Sequence, residues 1–247
     1  MSLRLTAVAI ERRLKSLGDP VRARGVARFF KTGPGEYGEG DRFVGLTLPI
    51  IRELVRQYQG LSLAEIRRLL GSPWHEARLL ALLILVRRYR RGTRAERDAI
   101  YRLYLRSTRR INNWDLVDCS AASIVGPQLP RRRRGQLRRL ARSRVLWERR
   151  IAIIATSHYI NRRDFADTLA IARLLLNDPH DLNHKAVGWM LREVGKRDQA
   201  VLERFLNRYG PRMPRTTLRY AIERFPERKR QAYLRRDRVP PLKPRLG

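Results

Sequence analysis

The sequence predicts an all-α protein of the HEAT-like helical-repeat solenoid class, with a concave basic face and a short Gly-rich loop or hairpin insert. Three observations lead there. Apolar residues recur at three- and four-residue spacing in block after block, with no sustained alternation of the kind a strand shows. Breakers separate the blocks at Gly60, Gly71-Ser72-Pro73, Arg91-Gly92, Gly126-Pro127, Asn177-Asp178-Pro179 and Gly210-Pro211. The four tryptophans fall at 74, 114, 147 and 189, spacings of 40, 33 and 42 residues that fit two-helix repeats of roughly 35–45 residues.

Taken in order, the elements begin with N-terminal helices ending in Val26-Ala27-Arg28-Phe29-Phe30, followed by the insert Lys31 to Arg42, KTGPGEYGEGDR. Apolar faces follow at Leu61, Ile66, Leu69 and Leu70, then at Leu79, Leu82, Leu83 and Val86. Ile151, Ile154, Ala155 and His158 make a further face, and Leu169, Ala172, Leu175 and Leu176 the next. Three tryptophans open a helix after a polar turn, and a basic residue one turn on recurs as Arg78 and Arg150. A single repeat domain is expected over residues 1–234, with 235–247 a basic, Pro-containing tail that has no core-forming pattern. The longest apolar stretch, Leu79 to Val86, is too short to span a bilayer, and the N-terminus lacks a signal-peptide pattern. The single cysteine, Cys119, excludes an internal disulfide and fits a reducing, cytoplasmic setting; it reads as a small core residue.

Charge is the strongest signal. Lys and Arg total 55 against 23 Asp and Glu, a formal net charge of +32. A compact domain with that excess repels itself, and a polyanion relieves the repulsion by displacing counterions. Nucleic acid is therefore the expected partner, and charge does not separate DNA from RNA.

Several motifs resemble chemistry. Gly33 to Gly38 fits G-x-G-x-x-G, but a helix precedes it and no βαβ unit follows, so it reads as a connector. Tyr37 on that loop, flanked by Lys31 and Arg42, suits either a groove probe or a solvated turn. His180-Asp181-Leu182-Asn183-His184 has the spacing of a zinc motif, but it starts at a turn and has no third ligand; no metal and no cofactor are expected. The run Arg131, Arg132, Arg133, Arg134 opens a repeat and suits phosphate contacts or a solvated face. Lys185, Trp189, Arg192 and Lys196 form a stripe that suits base stacking with phosphate contacts, or a tryptophan between repeats with solvated cations. In Asn112-Asn113-Trp114-Asp115-Leu116-Val117-Asp118, Asn113 is a plausible N-cap, and Trp114 and Asp118 are i,i+4 neighbours. A carboxylate beside an indole in so basic a chain suits either catalysis or an ion pair with Arg150.

At these residues the chain resembles the DNA alkylation repair proteins of the AlkD type, helical-repeat DNA glycosylases that remove positively charged N3- and N7-alkylpurines. The resemblance covers about residues 20–225 and is most specific at Ala27-Arg28-Phe29-Phe30-Lys31, Trp114 to Asp118, Leu146-Trp147-Glu148-Arg149-Arg150, and Lys185 to Glu193. It implies hydrolysis of the N-glycosidic bond, with Trp114, Asp118, Arg150 and Trp189 as the catalytic set. It implies DNA contacts at Phe29, with Arg149 within the matching segment. A monomer acting on duplex DNA in the bacterial cytoplasm, at the nucleoid, is also implied. The insert at 31–42 departs from that pattern and resembles a hairpin in a sister branch thought to bind branched DNA without excising bases. A glycosylase, a binder of forks or junctions, and a scaffold for protein or RNA are thus the three classes in view.

Overall fold

A computed structural model describes residues 5–130 and 134–235. Among them the chain is all-α, and the pairing of extended backbone is limited to one parallel bridge between Arg42 and Trp74. The Gly-rich insert is accordingly a turn-rich loop and not a hairpin. None of the described helices is long and apolar enough to cross a membrane. Arg131, Arg132 and Arg133, and all but the first residue of the expected tail, lie outside the described residues.

The chain falls into two compact units, Met1–Ile124 and Val125–Gly247, where the sequence suggested one domain over 1–234. Stacked repeats touch only their neighbours, so their contacts sort into local blocks.

The first unit contains α1 (Ala7–Ser16), α2 (Pro20–Phe29), α3 (Leu48–Gln57), α4 (Leu63–Leu70), α5 (His75–Arg91), α6 (Arg94–Arg106) and α7 (Trp114–Asp118). Local chemistry sets the boundaries. Asp19 accepts from the Val21 and Arg22 amides ahead of α2, where Pro20 starts the helix without wasting an N–H. Ser62 and Thr93 accept from the amides of Glu65 and Glu96, opening α4 and α6. The core gathers around α5, with Leu61, Ile66, Leu69, Leu80, Leu82, Ile84 and Leu85 fully buried. The face expected at Leu79, Leu82, Leu83 and Val86 needs correction: Leu79 and Leu83 are half exposed, and Leu80, Ala81, Ile84 and Leu85 are buried instead. An unbroken apolar run carries no periodicity from which to choose a face.

Helix α8 (Ala121–Gln128) spans the boundary. The second unit contains α9 (Gly135–Ala141), α10 (Leu146–Ala155), α11 (Ser157–Ile160), α12 (Ala166–Leu174), α13 (Asp181–Arg197), α14 (Gln199–Tyr209), α15 (Arg215–Ala221) and α16 (Glu227–Arg235). Helices α13 and α15 approach at Gly188, where a Cβ would stand 2.5 Å from Tyr220 Cβ and 2.6 Å from the Thr217 carbonyl oxygen. Only a residue without a side chain fits that crossing.

Gly188→Ala should therefore lower unfolding free energy by roughly 1–3 kcal/mol, the cost of overpacking outweighing alanine's better helix propensity. Gly135→Ala, where a Cβ meets nothing within 4 Å, should leave stability unchanged or raise it. Urea titration of both variants checks this, and equal effects would mean that the α13–α15 contact is not tight.

Candidate active site

Trp114 opens α7, and the Asn113 side-chain oxygen accepts from its backbone N–H at 2.8 Å. Its indole lies on Phe30, with ring centroids 5.3 Å apart and planes 21° apart. Phe30 in turn stacks on Phe43 at 5.2 Å, and Phe43 on the His75 imidazole at 4.6 Å. Phe29 meets the Trp114 ring edge-on at 6.0 Å while remaining 65% exposed. Helix α2 buries none of its residues, so Phe29 lies on a helix open to solvent. The result is an aromatic ladder running from a buried imidazole to an exposed phenyl ring.

An ionic network holds the ladder in place. His75 sits between two carboxylates, with Nε2 2.8 Å from Asp115 and Nδ1 3.2 Å from Asp41. Asp41 also accepts from Arg78 at 2.6 Å and from the Asn112 amide at 3.1 Å. Burial alone would lower the His75 pKa, but hydrogen bonds to Asp115 and Asp41 outweigh it and raise the pKa to about 9, so the ring is an imidazolium at neutral pH. Burial would likewise raise the Asp41 carboxyl, yet the bond from His75, the Arg78 charge and the Asn112 amide bring it below the ordinary carboxylate value. Next to His75, the buried Glu76 accepts from three successive amides, Val44, Gly45 and Leu46, at 3.0, 2.8 and 3.2 Å. Gly45 has φ +84°, and a Cβ there would lie 2.2 Å from the Asp19 carbonyl oxygen. The segment that begins with the Gly-rich loop is thus tied to the first turn of α5 at Asp41 and again at residues 44–46.

Asp118, one turn after Trp114, is half-buried. Asp115 is committed to His75, so Asp118 is the α7 carboxylate outside that bond. Lys31 and Arg42 are exposed at the two ends of the loop, and Tyr37 is half-buried within it. Sequence reasoning singled out Trp114, Asp118 and Phe29 but not the roles of Phe30, Phe43, Asp41, His75 and Asp115, which form the network behind Trp114. The clue was the one histidine in Ser-Pro-Trp-His-Glu, at the start of a helix too apolar to solvate it.

Arg150 and Trp189 belong to the second unit. Arg150 on α10 is 5% exposed and donates to the Leu182 carbonyl. Trp189 is half-buried on α13. Its stripe partners are each engaged by a carboxylate: Lys185 by Asp181 at 2.7 Å, Arg192 by Glu223, and Lys196 by Glu193 at 2.6 Å. Arg134 lies 3.8 Å over the Tyr159 ring and bonds Asp164 and Asp167 at 2.7 and 2.8 Å, so its guanidinium is occupied within the unit. His180 caps α13 by accepting from the Leu182 amide, and His184 bonds the Asp178 carbonyl; neither is arranged as a ligand.

The repeat register differs from the tryptophan spacing. Ser72 caps the turn before α5, and Arg78 reaches back to the Ser72 carbonyl and pairs with Asp41. Ser143 does the same before α10, where Arg149 reaches back to the Ser143 carbonyl and pairs with Asp178 at 2.6 Å. The counterpart of Arg78 is therefore Arg149, not Arg150, and Arg149 has a structural task that leaves less of it for DNA.

One basic feature escaped sequence reading. A groove of about 570 Å³ in the first unit is lined by Arg52, Arg56, Arg87, Arg90 and Arg91 together with Cys119, the residue after Asp118. Arg52 and Arg56 come from α3 and the other three from the last turns of α5. With 55 Lys and Arg spread along the chain, no local run marks these five.

The chain matches a family model described as DNA alkylation repair enzyme over residues 10–225. It is similar to the solved structure of a predicted DNA alkylation repair enzyme from Enterococcus faecalis, with 14% identity and a TM-score of 0.64, covering 85% of this chain and 97% of that one. No curated protein sequence matches significantly.

The His75 pKa, raised from 6.5 to about 9, gives a signed expectation. The proton is held more tightly in the folded state, so its contribution to stability is complete below pH 6.5 and is lost as pH rises to about 9. Wild type should therefore lose up to a few kcal/mol of stability across that window, and His75→Gln should show a flatter profile. Denaturation midpoints between pH 6 and 10 test this; parallel profiles would mean that His75 is not charged.

Proposed function

Because the chain belongs to the DNA alkylation repair enzyme family, we propose that it is a DNA glycosylase that releases positively charged N3- and N7-alkylpurines from duplex DNA. The observation that carries this reading is the pairing of an aromatic surface at Trp114 and Phe29 with the half-buried carboxylate of Asp118 one helical turn away.

A cationic alkylpurine is already a good leaving group and needs little help from a general acid. The barrier lies in the positive charge that develops on the deoxyribose as the glycosidic bond breaks. A fixed carboxylate stabilises that charge and orients the attacking water, which is the role assigned to Asp118. The Trp114 face, held by Phe30 and the His75 network, offers its π electrons to the cationic base or sugar. Arg150 and Trp189, the remainder of the set that the resemblance implies, lie on the second unit and are assigned no step in this reading. The five arginines of the α3–α5 groove supply backbone contacts that are independent of sequence.

A second reading, binding of branched DNA without excision, is favoured by the loop at 31–42. That loop is bound into the support of Trp114 through Asp41, so its presence is compatible with an intact Trp114 site.

Asp118→Asn should slow single-turnover release of 7-methylguanine by roughly a hundredfold or more while duplex affinity holds or rises. A destabilised variant with unaltered release would assign Asp118 a structural role. Wild type inactive on every cationic purine lesion, yet preferring junctions to linear duplex, would decide for the second reading. Replacing Arg90 and Arg91 by alanine should weaken all duplexes alike and reduce the slope of log affinity against log salt by about 2. An unchanged slope would exclude the groove from the interface.

A further inference from the structure

Helices α12 and α14 of the second unit, with the turn before α12, border an open groove of about 670 Å³ that takes no part in the site described above. Four arginines line it: Arg162 and Arg163 on the turn, and Arg204 and Arg208 one helical turn apart on α14. All four are exposed. Its one acidic lining residue, Asp164, is already bonded to Arg134 at 2.7 Å. Two half-exposed aromatic rings, Phe165 and Tyr209, also line it, and the Arg208 guanidinium lies 5.4 Å over the Tyr209 ring. Tyr209 is held against the buried Phe205 at 4.8 Å between centroids.

Two features show that the rim is built and not merely charged. Arg163 adopts φ +58°, a left-handed conformation that favours glycine. That conformation carries a cost for arginine, and the Arg163 guanidinium is pinned to the Arg197 carbonyl at 2.8 Å. Arg162 is likewise anchored, to the His158 carbonyl at 2.8 Å. Two of the cations are thus held in place before any ligand arrives.

We propose that this groove binds a segment of single-stranded nucleic acid. Aromatic rings beside anchored cations match an unpaired base flanked by phosphates, because stacking on Phe165 requires a base face that stacking within a duplex hides. The volume is that of a site for one or two nucleotides. Such a site would hold a displaced or adjoining strand, separately from the lesion-processing residues. It does not depend on whether the protein excises bases.

The test is fluorescence anisotropy with a labelled 15-nucleotide oligothymidylate and, in parallel, a labelled hairpin duplex. Phe165→Ala preserves net charge and should weaken oligothymidylate binding about tenfold while duplex affinity and melting temperature stay unchanged. Arg204→Ala with Arg208→Ala, on exposed positions of α14, should give at least a similar loss and keeps the test valid if Phe165→Ala unfolds. Oligothymidylate binding that is insensitive to all three substitutions would overturn the proposal, as would parallel loss on the duplex, which would indicate general electrostatics. Displacement of the oligonucleotide by a polyglutamate peptide more readily than by unlabelled oligothymidylate would also overturn it and reassign the groove to an acidic protein partner.

Discussion

The first unit depends on three ionisable side chains buried in the opening turn of α5. His75, Glu76 and Arg78 are each less than 5% exposed. Removing such charges from water costs several kcal/mol apiece unless each finds a counter-charge or a full set of hydrogen bonds. Here each does: His75 lies between Asp41 and Asp115, Arg78 bonds Asp41 and the Ser72 carbonyl, and Glu76 takes three backbone amides. The partners come from the Gly-rich segment before α5 and from α7 beyond it. One helical turn therefore determines where two distant stretches of chain must lie. A neutral apolar turn would fill the same space without dictating which loop packs on it. Glycine at position 45 completes the arrangement, since a side chain there would strike the Asp19 carbonyl.

How much of this the sequence disclosed follows from the range of each interaction. The helical class was legible because three- and four-residue spacing is local, and its breakers lie where the helices end, except Gly126-Pro127, which falls within α8. Asn113 as the cap of α7 was legible for the same reason. The face of α5 was not, because Leu79 to Val86 is apolar all round and only tertiary packing decides that Leu79 and Leu83 stay half exposed. The Asp41–His75 and His75–Asp115 pairs join residues 34 and 40 positions apart, which no periodicity reports. The repeat register was misread through the tryptophans. Trp74, Trp114 and Trp147 do open their helices, as N-cap, first and second residue, but Trp189 sits mid-helix, so the four spacings mark no exact register, whereas Ser72–Arg78 and Ser143–Arg149 do.

Net charge overstated the surface that stands ready for phosphate. Arg134, Arg149 and Arg192 are each engaged with carboxylates of their own unit, and Lys185 and Lys196 with neighbours on α13. A cation already matched must give up a partner before it gains a phosphate, so such residues add little net affinity. Among the described lining residues of the two grooves Asp164 is the one carboxylate, although Arg56 pairs with Glu53 beside the first. Where positive charge is concentrated without acidic neighbours, counterion release gives the largest gain. The same excess, +32 over the chain, thus divides into a structural share and a share available to a polyanion, and sequence order does not show which arginine belongs to which.

The division of labour among the carboxylates of α7 bears on chemistry. Asp115 and Asp118 occupy the same short helix, three residues apart. An acidic pair in a field of arginines would ordinarily be read as two equivalent counter-ions. The imidazolium of His75 removes that equivalence by taking Asp115 into the buried network, which uses its charge to secure Trp114. Asp118 is the other carboxylate of that helix, half-buried and one turn from the indole. A carboxylate held on a rigid element stabilises developing positive charge without first reorganising, and that is worth more than the same charge on a mobile chain. On the proposed reading, the His75–Asp115 pair holds the helix from which Asp118 would act.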